Sequence, residues 1–357
     1  MSEKKLHSLT LNDYDLGDTI KIIPNGRVKI ARNRRANSNE IIFIKILNKS
    51  NIMKSNQTQH VLNELEIIPN LDHPSIIKFL SFYQDDKYLY LAFEFIPGGD
   101  LFTLLKAENN LSIEQSQFYL GQIIFALEYL HSRNIIYRNL KPENILINKN
   151  GYIKLTDFEL VKNLDDRTYT LCGTPGYMAP EIILNKGYGL GVDWWALGIL
   201  LYEMICGVDP FADESPMKIY ENILEGKIKF TSDFDDTSKS LIKHLLDKDV
   251  SRRYGNLKNG VEDIKNHEFF KTMNWDKLLK QEIPADFIPK LKVDNELKYF
   301  DFYPDSDEKV EPIQNEDDPF MKFFVKKLKI KPILKWIIIF IIRFCIIIRI
   351  WIDIKIF

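Results

Sequence analysis

The chain has little with which to build a disulfide framework or a structural metal site. It has three cysteines in 357 residues, Cys172, Cys206 and Cys345, an odd number that share no metal-ligand spacing. That scarcity excludes a small cross-linked extracellular scaffold and fits buried or neutral thiols in a reducing, cytoplasmic setting. Charge of one sign is missing too. Lys plus Arg number 48 against 50 Asp plus Glu, a formal net charge of -2, so no global field argues for nucleic acid, and any electrostatic specificity has to be local. The opening Met-Ser-Glu-Lys-Lys carries no apolar run, and Ser2 stands where myristoylation needs Gly, so neither a secretory leader nor an N-terminal acyl anchor is expected. Internal repeats are absent as well. What is present is enough chain for one large or two moderate domains around a sizeable core.

After a polar stretch, residues 1–13, short β-branched runs alternate with turn signals. These are Thr19 to Ile23, the turn Asn25-Gly26, Arg27 to Ala31, and Ile41 to Leu47, which together predict an antiparallel sheet. Lys45 lies inside the last of them. Gln57 to Ile68 has helical spacing, with Val61, Leu65 and Ile68 on one face and Glu64 beside it. Further strands are expected at Ile76 to Phe82 and Tyr88 to Phe95. Ser112 with Gln115 predicts a capping box, and the helix behind it carries the stripe Leu120, Ile123, Leu127 and Leu130. Asp193 to Cys206 is apolar all round but too short to span a bilayer, so it reads as a buried helix closed by Gly207, with Asp193 favoured by the helix's own first amides. Leu241 to Leu246 and Val261 to Phe270 supply later helical pieces, and Arg253 is placed to pair with Glu181.

The chemistry concentrates in Tyr137-Arg138-Asn139-Leu140-Lys141-Pro142-Glu143-Asn144 and, beyond two short strands joined by an Asn-Gly turn, Asp157-Phe158-Glu159. That hairpin brings Asn144 and Asp157 together as the two protein ligands of a magnesium site. With Thr170-Leu171-Cys172-Gly173-Thr174-Pro175, Asp193-Trp194-Trp195-Ala196-Leu197-Gly198 and Arg253-Tyr254-Gly255-Asn256-Leu257, the chain resembles the AGC-group serine/threonine protein kinases, of the cyclic-AMP-dependent catalytic-subunit type. The resemblance covers about Tyr14 to Phe323.

It implies an α+β, two-lobed kinase fold. A small antiparallel β-sheet lobe would cover about residues 14–94 and a large, mainly helical lobe about 95–270, followed by a C-terminal tail over 271–323. That tail includes Phe300-Asp301-Phe302-Tyr303 and the hydrophobic motif Phe320-Met321-Lys322-Phe323. The implied cofactors are ATP and magnesium. Gly26, Val28, Lys45, Glu64, the backbone from Glu94 to Ile96, and Phe300 would face the nucleotide, with Phe93 as a bulky residue behind it. Lys141 would neutralise the γ-phosphate and Thr174 would brace the catalytic loop. Thr170 corresponds to the activation-loop phosphosite, with His60, Arg138 and Lys162 as its cationic partners. Asp100, Glu143 and Glu221 correspond to acidic contacts for substrate arginines, so the implied partner is a basic peptide substrate or a pseudosubstrate regulatory subunit.

The pattern fails at the reacting centre. Asn139 stands where the catalytic Asp is expected, and an amide cannot accept a proton at neutral pH. A general base contributes roughly 10² to 10⁴ in rate. Two glycines of the phosphate loop are Lys21 and Ile23, the DFG glycine is Glu159, and Gly176 replaces a Glu between Pro175 and Tyr177. Two functions therefore remain: a pseudokinase or strongly impaired kinase that keeps its peptide groove, or an active serine/threonine kinase acting on Arg-containing substrates. Residues 324–357 add a hydrophobic, basic extension with the apolar run Trp336 to Arg349. At roughly -0.5 kcal/mol per apolar residue against about +3 kcal/mol for Arg343, insertion is marginally favoured, which gives a candidate membrane anchor.

Overall fold

A computed structural model describes residues 13–34, 40–291, 297–305, 310–314 and 317–321. Most of the N-terminal extension, Phe323 and the candidate anchor lie outside them. Among the described residues no helix is long and apolar enough to cross a membrane.

The small lobe is a five-stranded antiparallel sheet in the order β1-β2-β3-β5-β4. Its strands are β1 (Tyr14–Ile23), β2 (Gly26–Asn33), β3 (Ile41–Asn48), β4 (Phe79–Gln84) and β5 (Tyr88–Glu94), with α1 (Lys49–Lys54) and α2 (Thr58–Ile67) between β3 and β4. Every residue of β3 is buried, because the strand is covered on both faces. Side-chain alternation sends Ile42, Ile44 and Ile46 into one apolar cluster and Phe43 and Leu47 into the other, so Lys45 must share the face of Phe43 and Leu47.

The large lobe follows as α3 (Leu101–Glu108), α4 (Ile113–His131), β6 (Ile135–Ile136), β7 (Ile145–Ile147), β8 (Ile153–Leu155), β9 (Lys162–Asn163), α5 (Pro180–Ile183), α6 (Gly191–Cys206), α7 (Pro216–Glu225), α8 (Asp236–Leu245), α9 (Glu262–Lys265) and α10 (Trp275–Leu279). The capping box at Ser112 and Gln115 is formed, and α6 ends in a left-handed Gly207, φ 81°. Arg253 donates to both Glu181 oxygens, at 2.6 and 2.9 Å, with its side chain fully buried.

Several sequence expectations shift. Ile76 does not open a sheet strand: residues 75–77 pair with β8 of the other lobe, through Ile77 N to Leu155 O at 2.9 Å and Leu155 N to Ser75 O at 2.8 Å, and β4 begins at Phe79. The piece from Val261 to Phe270 breaks at His267, whose ring accepts from Phe269 N at 3.1 Å and starts a separate 3-10 turn. Cys172 and Cys206 are both free and half-buried.

Candidate active site

The cleft between the lobes has a volume of about 250 Å³. Ile20, Ile23, Val28 and Phe43 cover it from the sheet, Leu146 and Phe158 close it below, and Phe93 forms its rear wall edge-on to Phe79. The tail returns to seal one side, where Phe300 sits 5.7 Å from the Phe43 ring and 6.0 Å from Phe95. Tyr303 N donates to Thr19 O at 2.9 Å, and Asp305 accepts from Lys29 at 2.7 Å and from the Thr19 hydroxyl at 2.7 Å. Phe320 is fully buried, and Asp318 beside it binds the buried Lys49 ammonium at 2.5 Å.

Lys45 Nζ lies 2.9 Å from both Glu64 oxygens and 3.7 Å from Asp157 Oδ1. Burial opposes its charge, yet Glu64, Asp157 and Glu159 outweigh that and hold the ammonium above its ordinary pKa. The pair is therefore assembled, with the Glu64 helix turned inward. Asn144 is fully buried; its Nδ2 donates to Asn139 O at 2.9 Å, its Oδ1 lies 3.5 Å from Lys21 Nζ, and its main chain accepts from Thr156 N at 2.9 Å. Asn144 and Asp157 thus offer an amide oxygen and a carboxylate on adjoining segments, a donor set that suits a hard cation completed by phosphate oxygens.

Asn139 Nδ2 donates to the main-chain carbonyl of Asp157 at 3.1 Å. Arg138 and Asp157 both hold left-handed backbone, φ 63° and 56°, the strained conformation expected of residues aimed by their surroundings. The carboxylate of Asp193 accepts from Tyr137 N at 2.9 Å, Arg138 N at 2.8 Å and His131 at 2.8 Å. It braces the catalytic loop from the first turn of α6, where the sequence places it.

Other predicted residues take varied places. A β-carbon on Gly26 would lie 1.9 Å from Ile46 O, so β3 itself demands glycine there, and Gly26 does not line the cleft. The Glu94 carboxylate is taken by Lys78 N at 2.7 Å and Lys154 at 2.6 Å and Ile96 is buried, so neither side chain faces the cleft, and the expectation there concerns the main chain. Lys141 is half-buried, close enough to oppose the burial that raises Glu159. Thr174 lies in a small cavity with Asn139 but makes no hydrogen bond to it among the described residues. Exposed Thr170 has its carbonyl held by Tyr188 at 2.5 Å, and Tyr188 also accepts from Arg138 at 3.2 Å. Lys162 donates to Thr168 at 3.0 Å, and the buried Nδ1 of His60 has no hydrogen-bond partner among the described residues. Burial, then Arg138 and Lys162, lower the His60 pKa.

At the substrate end Asp100 caps α3 through Thr103 N at 2.8 Å and lines the cleft mouth with Glu143. Glu221 lies on an exposed helix, paired with Lys218 at 2.8 Å. The carboxylates that act on Glu143's side are two others, Glu203 and Asp209. Glu203 accepts from the Tyr177 hydroxyl, and burial, with repulsion from Asp209 and Glu143, raises its pKa to about 7. A β-carbon on Gly176 would lie 3.1 Å from Asp209 Oδ2, so Asp209 covers the position where a Glu is absent. Sequence reasoning passed over Glu203 because α6 looks uniformly apolar. A lone Glu in such a helix was the available signal, since unpaired carboxylates are seldom buried.

Comparison with known proteins agrees with this geometry. The protein kinase domain family matches residues 24–270. This chain is a member of the protein kinase family. The mouse cAMP-dependent protein kinase catalytic subunit PRKX is 44% identical over 324 residues, 90% of each chain. Its human counterpart is 41% identical over 316 residues, 88% of each. The yeast cAMP-dependent protein kinase type 3 is 41% identical over 313 residues, 87% of this chain and 78% of that one. The likeness is therefore to the cAMP-dependent, AGC-type kinases along nearly the whole chain.

Proposed function

We propose that this kinase-family chain binds nucleotide and a basic peptide, and that its phosphoryl transfer is slowed by roughly 10² to 10⁴ for want of a proton acceptor. One observation carries the reading. The side chain at the base position, Asn139, is held as a hydrogen-bond donor to Asp157 O at 3.1 Å, while the neighbouring Lys45, Glu64 and Asp157 stand assembled.

Lys45 and Lys141 would neutralise phosphate oxygens, and Asn144 with Asp157 would hold magnesium. Magnesium would supply further charge neutralisation at the transferring group. Asp100, Glu143, Glu203 and Asp209 give the groove a negative lining suited to arginine side chains, as in a substrate or a pseudosubstrate segment. The unpartnered His60 Nδ1, with Arg138 and Lys162 nearby, supports Thr170 as a phosphosite that orders the activation segment.

The assembled Lys45 and Glu64 also favour a second reading, a working kinase in which positioning and electrostatics suffice. Calorimetry with Mg-ATP, followed by transfer of labelled phosphate to an arginine-rich peptide, separates the two. Binding with transfer at least about tenfold below that of Asn139→Asp supports impairment. Equal rates in the two proteins, both well above the uncatalysed background, would establish the working kinase.

A further inference from the structure

Two departures in the cleft carry charge, and they are of opposite sign. Lys21, on β1, reaches across from the small lobe until its Nζ is 3.5 Å from Asn144 Oδ1 in the large lobe, and it lines the nucleotide cleft. Glu159, on the turn below, is half-buried two residues beyond Asp157. Asn144 Oδ1 is the neutral member of the two-oxygen donor set described above.

We propose that Lys21 is a resident cation that takes over the charge of the divalent ion Asn144 would hold, so that nucleoside triphosphate binds with little or no dependence on magnesium. The inference rests on the reading that this cleft takes a nucleotide. An ammonium beside an amide oxygen weakens that oxygen's hold on a divalent ion, because like charges repel and the oxygen has no formal charge with which to screen them, so magnesium at Asn144 adds little to binding while Lys21 is in place. Lys45 is not free for that role, because both Glu64 oxygens bind it. Lys21 arrives from the sheet that covers the phosphates, so its charge can meet phosphate oxygens from above while Asn144 orients it from below.

The test is ATP affinity, read by calorimetry in excess EDTA and again in saturating magnesium, for the whole chain and for Lys21→Ala, Lys21→Gln and Lys21→Arg. The expected result is that the unaltered protein binds in EDTA within about threefold of its affinity in magnesium, and that Lys21→Ala and Lys21→Gln lose at least about tenfold in EDTA but recover in magnesium. Lys21→Arg should retain metal-independent binding. Thermal unfolding of each variant identifies any loss due to misfolding, and Lys21→Gln keeps most of the side chain's length. An unaltered protein that binds ATP only with magnesium, or neutral variants whose magnesium response is unchanged, overturns the inference while leaving nucleotide binding standing. Binding in neither condition overturns the nucleotide reading itself.

Discussion

Lys45 and Lys21 are ammonium groups in one cleft, yet they are held in different ways. Lys45 is gripped by two carboxylate oxygens at 2.9 Å, with its partner inside the same lobe and 1% exposed. Lys21 meets a single amide oxygen at 3.5 Å, in the opposite lobe. The rear of the site is therefore built into the small lobe and survives relative lobe movement, whereas the front exists only while the lobes are closed. Departures from the kinase pattern gather at the front. A residue there can change charge without unpairing a buried ion, so the fold tolerates it even when the chemistry does not.

The largest effect should come from breaking the rear. Glu64→Ala leaves a buried ammonium with only Asp157, 3.7 Å away, as its nearest carboxylate and should lower folding stability by about 3 kcal/mol, read by denaturant unfolding. Lys21→Ala should cost less than about 1 kcal/mol. Equal losses would erase the distinction between the two regions.

Chemistry at the front comes next. Asn139→Asp should raise phosphoryl transfer at least about tenfold by restoring a proton acceptor, and the gain should vanish when Asp157→Ala is added. If both proteins stay at background transfer although Mg-ATP binding is confirmed, then Glu159 and the missing loop glycines disable the front independently of the base. A smaller effect is expected at Thr170. In protein shown to be phosphorylated there, Thr170→Ala should lower Tm by about 2 to 4 °C, since a phosphate beside His60, Arg138 and Lys162 orders the segment. An unchanged Tm would mean that those three groups serve something else.

The smallest effect concerns pH. Glu203 has its folded-state pKa raised from 4.5 to about 7, so the folded protein binds a proton there that the unfolded chain has released. Its contribution to stability is therefore present below pH 4.5 and is lost as pH rises toward 7. Binding of a peptide with paired arginines should change in the opposite direction, tightening a few-fold as pH rises through 7 and Glu203 ionises. A profile that stays the same in Glu203→Gln would remove Glu203 from the groove.

Much of this was legible in the chain itself. Strand and helix periodicities place the sheet, the Glu64 helix and the buried α6, because burying an apolar face requires a matching repeat. Spacing also brings Asn144 and Asp157 onto adjoining segments, since a short hairpin leaves them little other choice. What spacing cannot supply is the partner of a long, charged side chain. Asp193 is spent on amides 55 and 56 positions away, and Asp209 covers Gly176 from a different element. Lys21 finds Asn144 across 123 residues. Such pairings depend on how the lobes and loops come together in three dimensions, and a charge can satisfy its desolvation cost with any opposite group that the fold brings near.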